Sequence, residues 1–329
     1  MYNFKGLDDY FNNSFESFGT DCLALAVACG GELVYDFYKA DNSKEEYKNF
    51  NDCTRFNIMS VSEIFIGILL VRLIEEGKIS ADDYVKSYIP EFKYDDIRLI
   101  QLMTHTSGFR AVEEDVYSLD EKSFLNMIYE AVREEDKEYN FYKFGYSVLI
   151  DIIQRVTCQK IEDYAEEVIY KPLNLRRTSF YPTDNTIFPY DSKTGKFFDF
   201  SKAAPVFNTG IYSTARDLIK LGDMFLDFPA GRETKILSGA GFEYSFTPCV
   251  FGDKKIRTPI FTKRSDISAN TSFGELSSPN TFGRSGDSGC MLSIDTDNDI
   301  GIVILTNSIE FGANPANYKR IVNRIMASM

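Results

Sequence analysis

Histidine is almost absent from this sequence, since His105 is the only one among 329 residues. A metal site built from several histidines is therefore excluded by counting, and a Ser-His-Asp triad would have to use His105. The Gly-x-Ser-x-Gly turn of α/β-hydrolases is also missing. His105 lies in the stretch Thr-His-Thr-Ser-Gly, where we expect a packed or capping residue, and no cofactor is predicted.

Basic residues are also fewer than acidic ones. The sequence has 36 Lys and Arg against 49 Asp and Glu, which gives a net charge of −13 and a pI near 4.7. Nucleic acids and anionic membrane surfaces both select proteins with basic patches. The composition therefore argues against either of them as a partner.

The sequence also lacks a long apolar run and a secretory signal. The most apolar run, residues 64–71, is too short to cross a bilayer, and the first residues do not show a basic region followed by an apolar one. Without Cys-x-x-Cys spacing, the cysteines are expected to be reduced and mostly buried. We therefore expect a cytoplasmic location, unless a leader has been removed.

The two ends of the chain predict one antiparallel sheet. Residues 23–29 and 32–38 are strand-like and are joined by two glycines, which supply the positive φ angles of a tight hairpin. Residues 290–295 and 300–306 form a second predicted hairpin. Residues 318–326 repeat apolar side chains at helical spacing, so this last helix should cover the sheet.

A mainly helical region lies between the two hairpins. Residues 64–76 are apolar nearly all round, which is typical of a helix buried on every side. Helical periodicity also appears at residues 123–133, 146–156, 161–170 and 214–226, whereas residues 183–210 and 228–285 read as loop-rich. We predict a mixed α/β (α+β) domain over residues 1–329, with a sheet lobe at about 1–58 and 250–329 and a helical lobe at about 59–249.

The segment Ser60-Val61-Ser62-Glu63 opens the buried helix and has two interpretations. Ser-x-x-Glu before an apolar run is typical of a capping box, in which the serine oxygen accepts from the Glu63 amide and the carboxylate accepts from the Ser60 amide. This interpretation explains both residues without any function. The alternative is that Ser60 is a nucleophile at the amino end of a helix, where exposed amides favour negative charge.

Two later segments complete a pattern with Ser60. Residues 139–146 read Tyr-Asn-Phe-Tyr-Lys-Phe-Gly-Tyr, and residues 282–286 read Phe-Gly-Arg-Ser-Gly before the last hairpin. In this order the motifs resemble those of the serine β-lactamase and penicillin-binding-protein superfamily, particularly its class C and esterase-like branch. The resemblance runs from about residue 20 to 307. It implies an antiparallel sheet flanked by helices, with an inserted helical lobe and the serine at the start of the central helix.

The resemblance also assigns site residues, and several of them are substituted. Ser60 takes the nucleophile position, but Glu63 stands where the family has the lysine of Ser-x-x-Lys. Phe141 and Lys143 stand where the family has a tyrosine and an asparagine.

The third motif is assigned to substrate binding. Arg284, Ser285 and Gly286 replace Lys-Thr-Gly or His-Thr-Gly, a strand that in relatives helps to recognise a substrate carboxylate. The resemblance gives the amide of Asp287 the role of second oxyanion donor. In the simpler interpretation Arg284 is only a solvated cation at a strand edge.

The substitutions predict weakened chemistry. We infer a salt bridge between Glu63 and Lys143 beneath Ser60, which would keep both groups charged and remove the general base. Losing such a base costs about 100- to 10,000-fold in rate. The sequence thus predicts a divergent family member, impaired in acyl-serine catalysis, that binds a small or peptidic acyl ligand, anionic if Arg284 keeps the family's role.

Two other functions stay open at this point. An active serine acyl-hydrolase (an esterase, a peptidase or a β-lactamase-like enzyme) could use Ser60 with a rearranged pair of Glu63 and Lys143. A purely structural or partner-binding role is the third alternative.

Overall fold

A computed structural model describes residues 4–109, 119–133, 144–200, 205, 210–233, 236–251, 255–264 and 272–329. The strands are β1 (Cys22–Cys29), β2 (Glu32–Ala40), β3 (Arg55–Asn57), β4 (Thr186–Ile187), β5 (Tyr190–Asp191), β6 (Lys196–Phe197), β7 (Tyr212–Ser213), β8 (Cys249–Phe251), β9 (Lys255–Arg257), β10 (Thr262–Lys263), β11 (Thr281–Ser285), β12 (Met291–Asp295) and β13 (Ile300–Leu305).

The α-helices of the same residues are α1 (Leu7–Ser14), α2 (Glu63–Glu75), α3 (Leu99–Met103), α4 (Glu121–Tyr129), α5 (Gly145–Thr157), α6 (Ile161–Ala165), α7 (Lys171–Leu173), α8 (Ala215–Asp227), α9 (Gly239–Phe246), α10 (Ile309–Ala313) and α11 (Pro315–Met326). Short 3-10 and π-helical turns accompany them, including a 3-10 turn at Met59–Ser62 directly before α2.

The main sheet has the strand order β2-β1-β13-β12-β11-β10-β9-β8 and combines both ends of the chain. β1 pairs antiparallel with β13, from Ala24 opposite Leu305 to Cys29 opposite Ile300. The β1–β2 hairpin turns through Gly30 and Gly31, whose φ angles of 62° and 84° lie in the left-handed region that glycine adopts without strain. The expected antiparallel sheet from both termini is confirmed.

Alternation along β1 separates the two faces of the sheet. Leu23, Leu25 and Val27 share one apolar cluster with Tyr318, Ile321, Val322 and Ile325 of α11. The intervening small residues Ala24, Ala26 and Ala28 face the other way, into the cluster that contains α2 and α8. Because successive strand residues point to opposite faces, one short strand can contact helices on both sides. The predicted covering by the last helix is confirmed.

α2 is buried on every side, as its apolar composition predicts. All residues from Ile64 to Val71 are buried, their seven apolar side chains are at most 1% exposed, and the backbone at Gly67 lies against Ile260. A Cβ atom at Gly67 would come within 2.9 Å of the Ile260 side chain. The helix therefore fits tightly under the segment that leads into β10.

Some sequence predictions need correction. The segments taken as loop-rich contain α9 and several strands of two to five residues. Such strands are too short to show a periodic pattern, and α9 begins with glycines. α4 starts at an Asp120 cap and ends at Tyr129, earlier than its periodicity indicates. The division into lobes at residues 58 and 250 stays a prediction.

All six cysteines are free thiols, and three of them (Cys22, Cys29 and Cys290) are buried. The expectation that most of them are buried is wrong, because Cys53 and Cys249 are partly exposed and Cys158 is exposed. Among the described helices, none combines the length and the apolar character needed to cross a membrane.

A charged cluster joins the end of α8 to the turn between β12 and β13. Arg232 donates from Nε to Asp227 Oδ1 at 2.7 Å and from both Nη atoms to Asp299 at 2.7 and 3.0 Å. Asp223 lies 3.9 Å from the same guanidinium, beyond hydrogen-bond distance. Burial raises the pKa of Asp223 to about 6; Asp227 and Asp299 raise it further, and Arg232 opposes them.

Replacing Asp223 by asparagine should stabilise the protein at alkaline pH. Because the folded-state pKa lies above the unfolded one, ionised Asp223 destabilises the fold above pH 6, and this penalty fades as the pH falls toward 4. For a partly exposed group we expect Asp223→Asn to add about 1 kcal/mol at pH 8 and nothing below about pH 4. Urea unfolding at both pH values measures this. The exposed change Asp9→Asn is the control, and equal effects of the two variants at pH 8 would contradict the prediction.

Candidate active site

Ser60 lies half-exposed in the 3-10 turn between β3 and α2. The turn begins at Met59, whose φ of 46° is unusual for a residue with a side chain, and whose amide donates to Asn57 Oδ1 at 3.0 Å. On the other side, the amide of Ile211 donates to Ser62 Oγ at 2.7 Å. These two hydrogen bonds hold the turn that presents Ser60.

The end of β11 lies directly against this turn. A Cβ atom at Gly286 would come within 2.8 Å of the Ile58 carbonyl oxygen and 3.2 Å of the Ser60 nitrogen, so only glycine allows the two backbones this close. The neighbouring Ser285 and Asp287 are exposed. The structure thus brings Ser60 together with Ser285, Gly286 and Asp287, which the sequence places 225 or more positions away.

Glu63 is buried beneath Ser60, with 1% of its surface exposed. Its Oε2 forms an ion pair with Nη1 of Arg284 and accepts a hydrogen bond from Nε2 of His105 at 3.1 Å. An ionised carboxylate can only accept, so this contact assigns the imidazole proton to Nε2. The carboxylate therefore faces the protein interior, and the capping-box interpretation is wrong. The N-cap residue of α2 is Ser62, and its side chain makes no capping hydrogen bond to the helix.

Arg284 uses all three nitrogens of its guanidinium inside the protein. Nε and Nη2 donate to the Ile260 carbonyl oxygen at 3.1 and 3.0 Å, Nη2 also donates to the Tyr146 hydroxyl at 2.9 Å, and Nη1 bonds Glu63. Tyr146 in turn donates to the Met103 carbonyl oxygen at 3.1 Å. With 4% of its surface exposed, Arg284 is not the solvated strand-edge cation of the simpler interpretation.

The charges of this cluster follow from its composition. Burial raises the pKa of Glu63, but Arg284 and His105 outweigh it, so the pKa lies below its usual value. Burial lowers the pKa of His105 against the pull of Glu63. Arg257 of β9 acts on both groups through its charge. Near neutral pH the cluster therefore holds an ionised Glu63 and a neutral His105.

The other predicted site residues, Phe141 and Lys143, lie outside the described residues, and a contact between Lys143 and Glu63 stays a prediction. In the part of the chain that the structure describes, the cation bound to Glu63 is Arg284. Sequence reasoning missed this pairing, although one signal was present. Arg284 lies two residues after the apolar Phe282 on a predicted strand, and side chains two residues apart on a strand share one face.

The pairing of Glu63 with Arg284 predicts strong thermodynamic coupling. Removing either charge leaves the other buried without its partner, so Glu63→Gln and Arg284→Gln should each cost about 3–5 kcal/mol. The double variant should cost less than the sum by about 2 kcal/mol, because no unpaired charge remains. Urea unfolding of the four proteins measures this. Lys263→Gln, on the neighbouring β10, is the control and should change little; additive single effects would contradict the pairing.

Solved structures with a similar fold are known. The chain superposes on EstCE1, described as a hydrolase with promiscuous acyltransferase activity, with a TM-score of 0.82, 19% identity and coverage of 98% of both chains. It superposes on a class C beta-lactamase with a TM-score of 0.80, 17% identity and coverage of 99% of this chain and 96% of the other. For a penicillin-binding-protein homologue from Caulobacter crescentus the TM-score is 0.78, with 18% identity and coverage of 99% and 97%. These likenesses confirm the predicted fold.

Sequence comparison gives the same assignment. A Salmonella agona protein named "Putative D-alanyl-D-alanine carboxypeptidase" is 26% identical over 349 aligned positions, covering 88% of this chain and 72% of the relative. The family model described as Beta-lactamase matches residues 7–322. Since that match takes in almost the whole chain, together with the serine turn, α2 and β11, the protein belongs to the beta-lactamase family.

Proposed function

We propose that this protein is a beta-lactamase-family serine hydrolase relative that is impaired in ordinary acyl-serine catalysis and keeps a ligand-binding cleft beside Ser60. The observation that carries the proposal is the buried contact of Glu63 with Arg284 and His105. The residue at the lysine position of Ser-x-x-Lys is thereby a paired anion.

A paired carboxylate is a poor base for a serine hydroxyl. A general base works best when its pKa lies near the working pH, whereas Arg284 and His105 hold the pKa of Glu63 below its usual value. His105 already directs its Nε2 proton at Glu63. Loss of general-base help lowers the rate by about 100- to 10,000-fold.

The parts that would bind an acyl group are less altered than the base. Ser60 stands at the amino end of α2, where backbone amides and the helix dipole favour negative charge. The Gly286 backbone lies against the serine turn, and Asp287 follows it. With relatives named for carboxypeptidase and acyltransferase activities, a small or peptidic acyl compound is the ligand class we propose.

The competing function is an active serine acyl-hydrolase in which Glu63 is the base and Lys143 assists. A carboxylate acts as a base near neutral pH when its environment raises its pKa. The environment of Glu63 lowers it, because the charges of Arg284 and His105 exceed the effect of burial. The impaired-catalysis proposal is therefore favoured.

Covalent labelling tests this proposal. We expect a fluorescent penicillin, an activated ester and a fluorophosphonate to label the protein slowly, at least about 100-fold more slowly than an active family member. The measurement is the rate of adduct formation by gel fluorescence and intact mass. Ser60→Ala is the control for the site of labelling, and rapid labelling that disappears in this variant would contradict impaired catalysis.

A rebuilt site is the complementary test. Glu63→Lys alone would place two cations in one buried cluster, because Arg284 stays in place. The variant should therefore combine Glu63→Lys, Phe141→Tyr, Lys143→Asn and Arg284→His, which restores residues of the family's motifs. We expect labelling at least about tenfold faster than that of the unmodified protein. The matched control keeps Glu63 and carries the other three changes, and it should show no gain.

A further inference from the structure

We propose that the ligand of this cleft is uncharged where it lies beside β11, and that Arg284 is an internal counter-ion of Glu63 without a contact to the ligand. This inference rests on the proposed ligand-binding role and names the chemical class of the ligand. It departs from the expectation that Arg284 receives a substrate carboxylate.

The hydrogen bonds of Arg284 are the first argument. Nε, Nη1 and Nη2 are all directed at interior acceptors, namely the Ile260 carbonyl oxygen, Glu63 Oε2 and the Tyr146 hydroxyl. These contacts fix the plane of the guanidinium in the interior, so turning it toward a ligand carboxylate would break at least one of them. The acceptor would then be left buried without a donor, which is costly.

The balance of charge is the second argument. Glu63 already supplies the negative charge that Arg284 contacts, so this pair by itself carries no net charge, and the charge of Arg257 on β9 also acts on the same carboxylate. A ligand carboxylate brought next to this pair would lose its hydration and gain no cation from it. An ionised group desolvated without a partner is strongly disfavoured.

The direction of the side chains along β11 is the third argument. Arg284 is buried and lies over the ring of Tyr146, whereas the next residue, Ser285, is exposed. Its hydroxyl accepts a hydrogen bond from Ser272 at 3.3 Å. A ligand lying along β11 therefore meets a neutral hydroxyl at this point, and the guanidinium lies beneath it.

A matched pair of probes tests the proposal. Phenylboronic acid and 3-carboxyphenylboronic acid both form a reversible bond to a serine oxygen and differ only by a carboxylate. We expect the uncharged probe to bind the unmodified protein at least about tenfold more tightly at pH 7.5, measured by isothermal titration. Equal binding, or tighter binding of the carboxylated probe, would overturn the proposal. So would the failure of both probes to bind at millimolar concentration.

Two variants separate the role of Arg284 from that of other cations. Glu63→Gln removes the internal partner of Arg284, and the preference for the uncharged probe should then shrink or reverse. Because that variant can unfold, the double variant Glu63→Gln/Arg284→Gln gives a second readout, since it leaves no unpaired charge. Its ratio of affinities should stay within about twofold of the unmodified protein. A selective loss of the carboxylated probe in the double variant would show that Arg284 binds ligands and overturn the proposal.

The outcome is distinguishable from that of the labelling experiment. Rapid acylation of Ser60 by penicillin would contradict impaired catalysis. The charge of the ligand would still be tested separately, by the ratio of the affinities of the two boronic acids. A preference for the carboxylated probe that is lost in Lys143→Gln would assign a ligand-binding cation to Lys143. That result would also overturn the proposal that the ligand is uncharged beside β11.

Discussion

The ion pair between Glu63 and Arg284 is the constraint on which the rest of the site depends. It links the first turn of α2 to β11, and both groups are almost fully buried. Each ion loses several kcal/mol of hydration on burial, which is offset only by close contact and further hydrogen bonds. Ile260, Tyr146 and His105 supply those hydrogen bonds, so five side-chain or backbone groups act as one unit.

This interdependence explains why the substituted residues have to be considered together. An anion in the Ser-x-x-Lys position needs a cation within reach, and the arginine of β11 supplies it in the described residues. The arginine is thereby held in the interior, with 4% of its surface exposed. One buried contact thus sets two properties at once, namely the charge of the residue at the Ser-x-x-Lys lysine position and the burial of the Arg284 guanidinium.

The sequence predicted much of the fold, and the reasons are visible in particular elements. The glycine hairpin of β1 and β2, the apolar α2 and the helical repeat of α11 each carry a strong local pattern. The small strands from β4 to β10 carry no such pattern, because two or three residues cannot show a period. Their positions depend on contacts with distant segments, which a single sequence does not reveal.

The order of the motifs along the chain does not give the contacts between the site residues. Ser60 and the segment from Ser285 to Asp287 meet as the motif order indicates. Motif position predicts Lys143 as a partner of Glu63, and that contact lies outside the described residues. Within them the partner is Arg284, which strand alternation places on the interior face of β11. Charge pairing in an interior is settled by three-dimensional distance, so the motif order alone left it undetermined.

The turn that presents Ser60 is shaped by backbone contacts that do not involve any of these charges. Gly210, at a φ of 121°, lies so close to Asn57 that a Cβ atom would stand 2.5 Å from its Oδ1, and Gly286 lies tightly against Ile58 and Ser60. These two glycines thus fix the conformation of the turn that carries the Ser60 hydroxyl. The shape of the platform and the electrostatics beneath it are separable properties. One backbone could consequently support either a reactive or an inert serine, according to a few side chains below it.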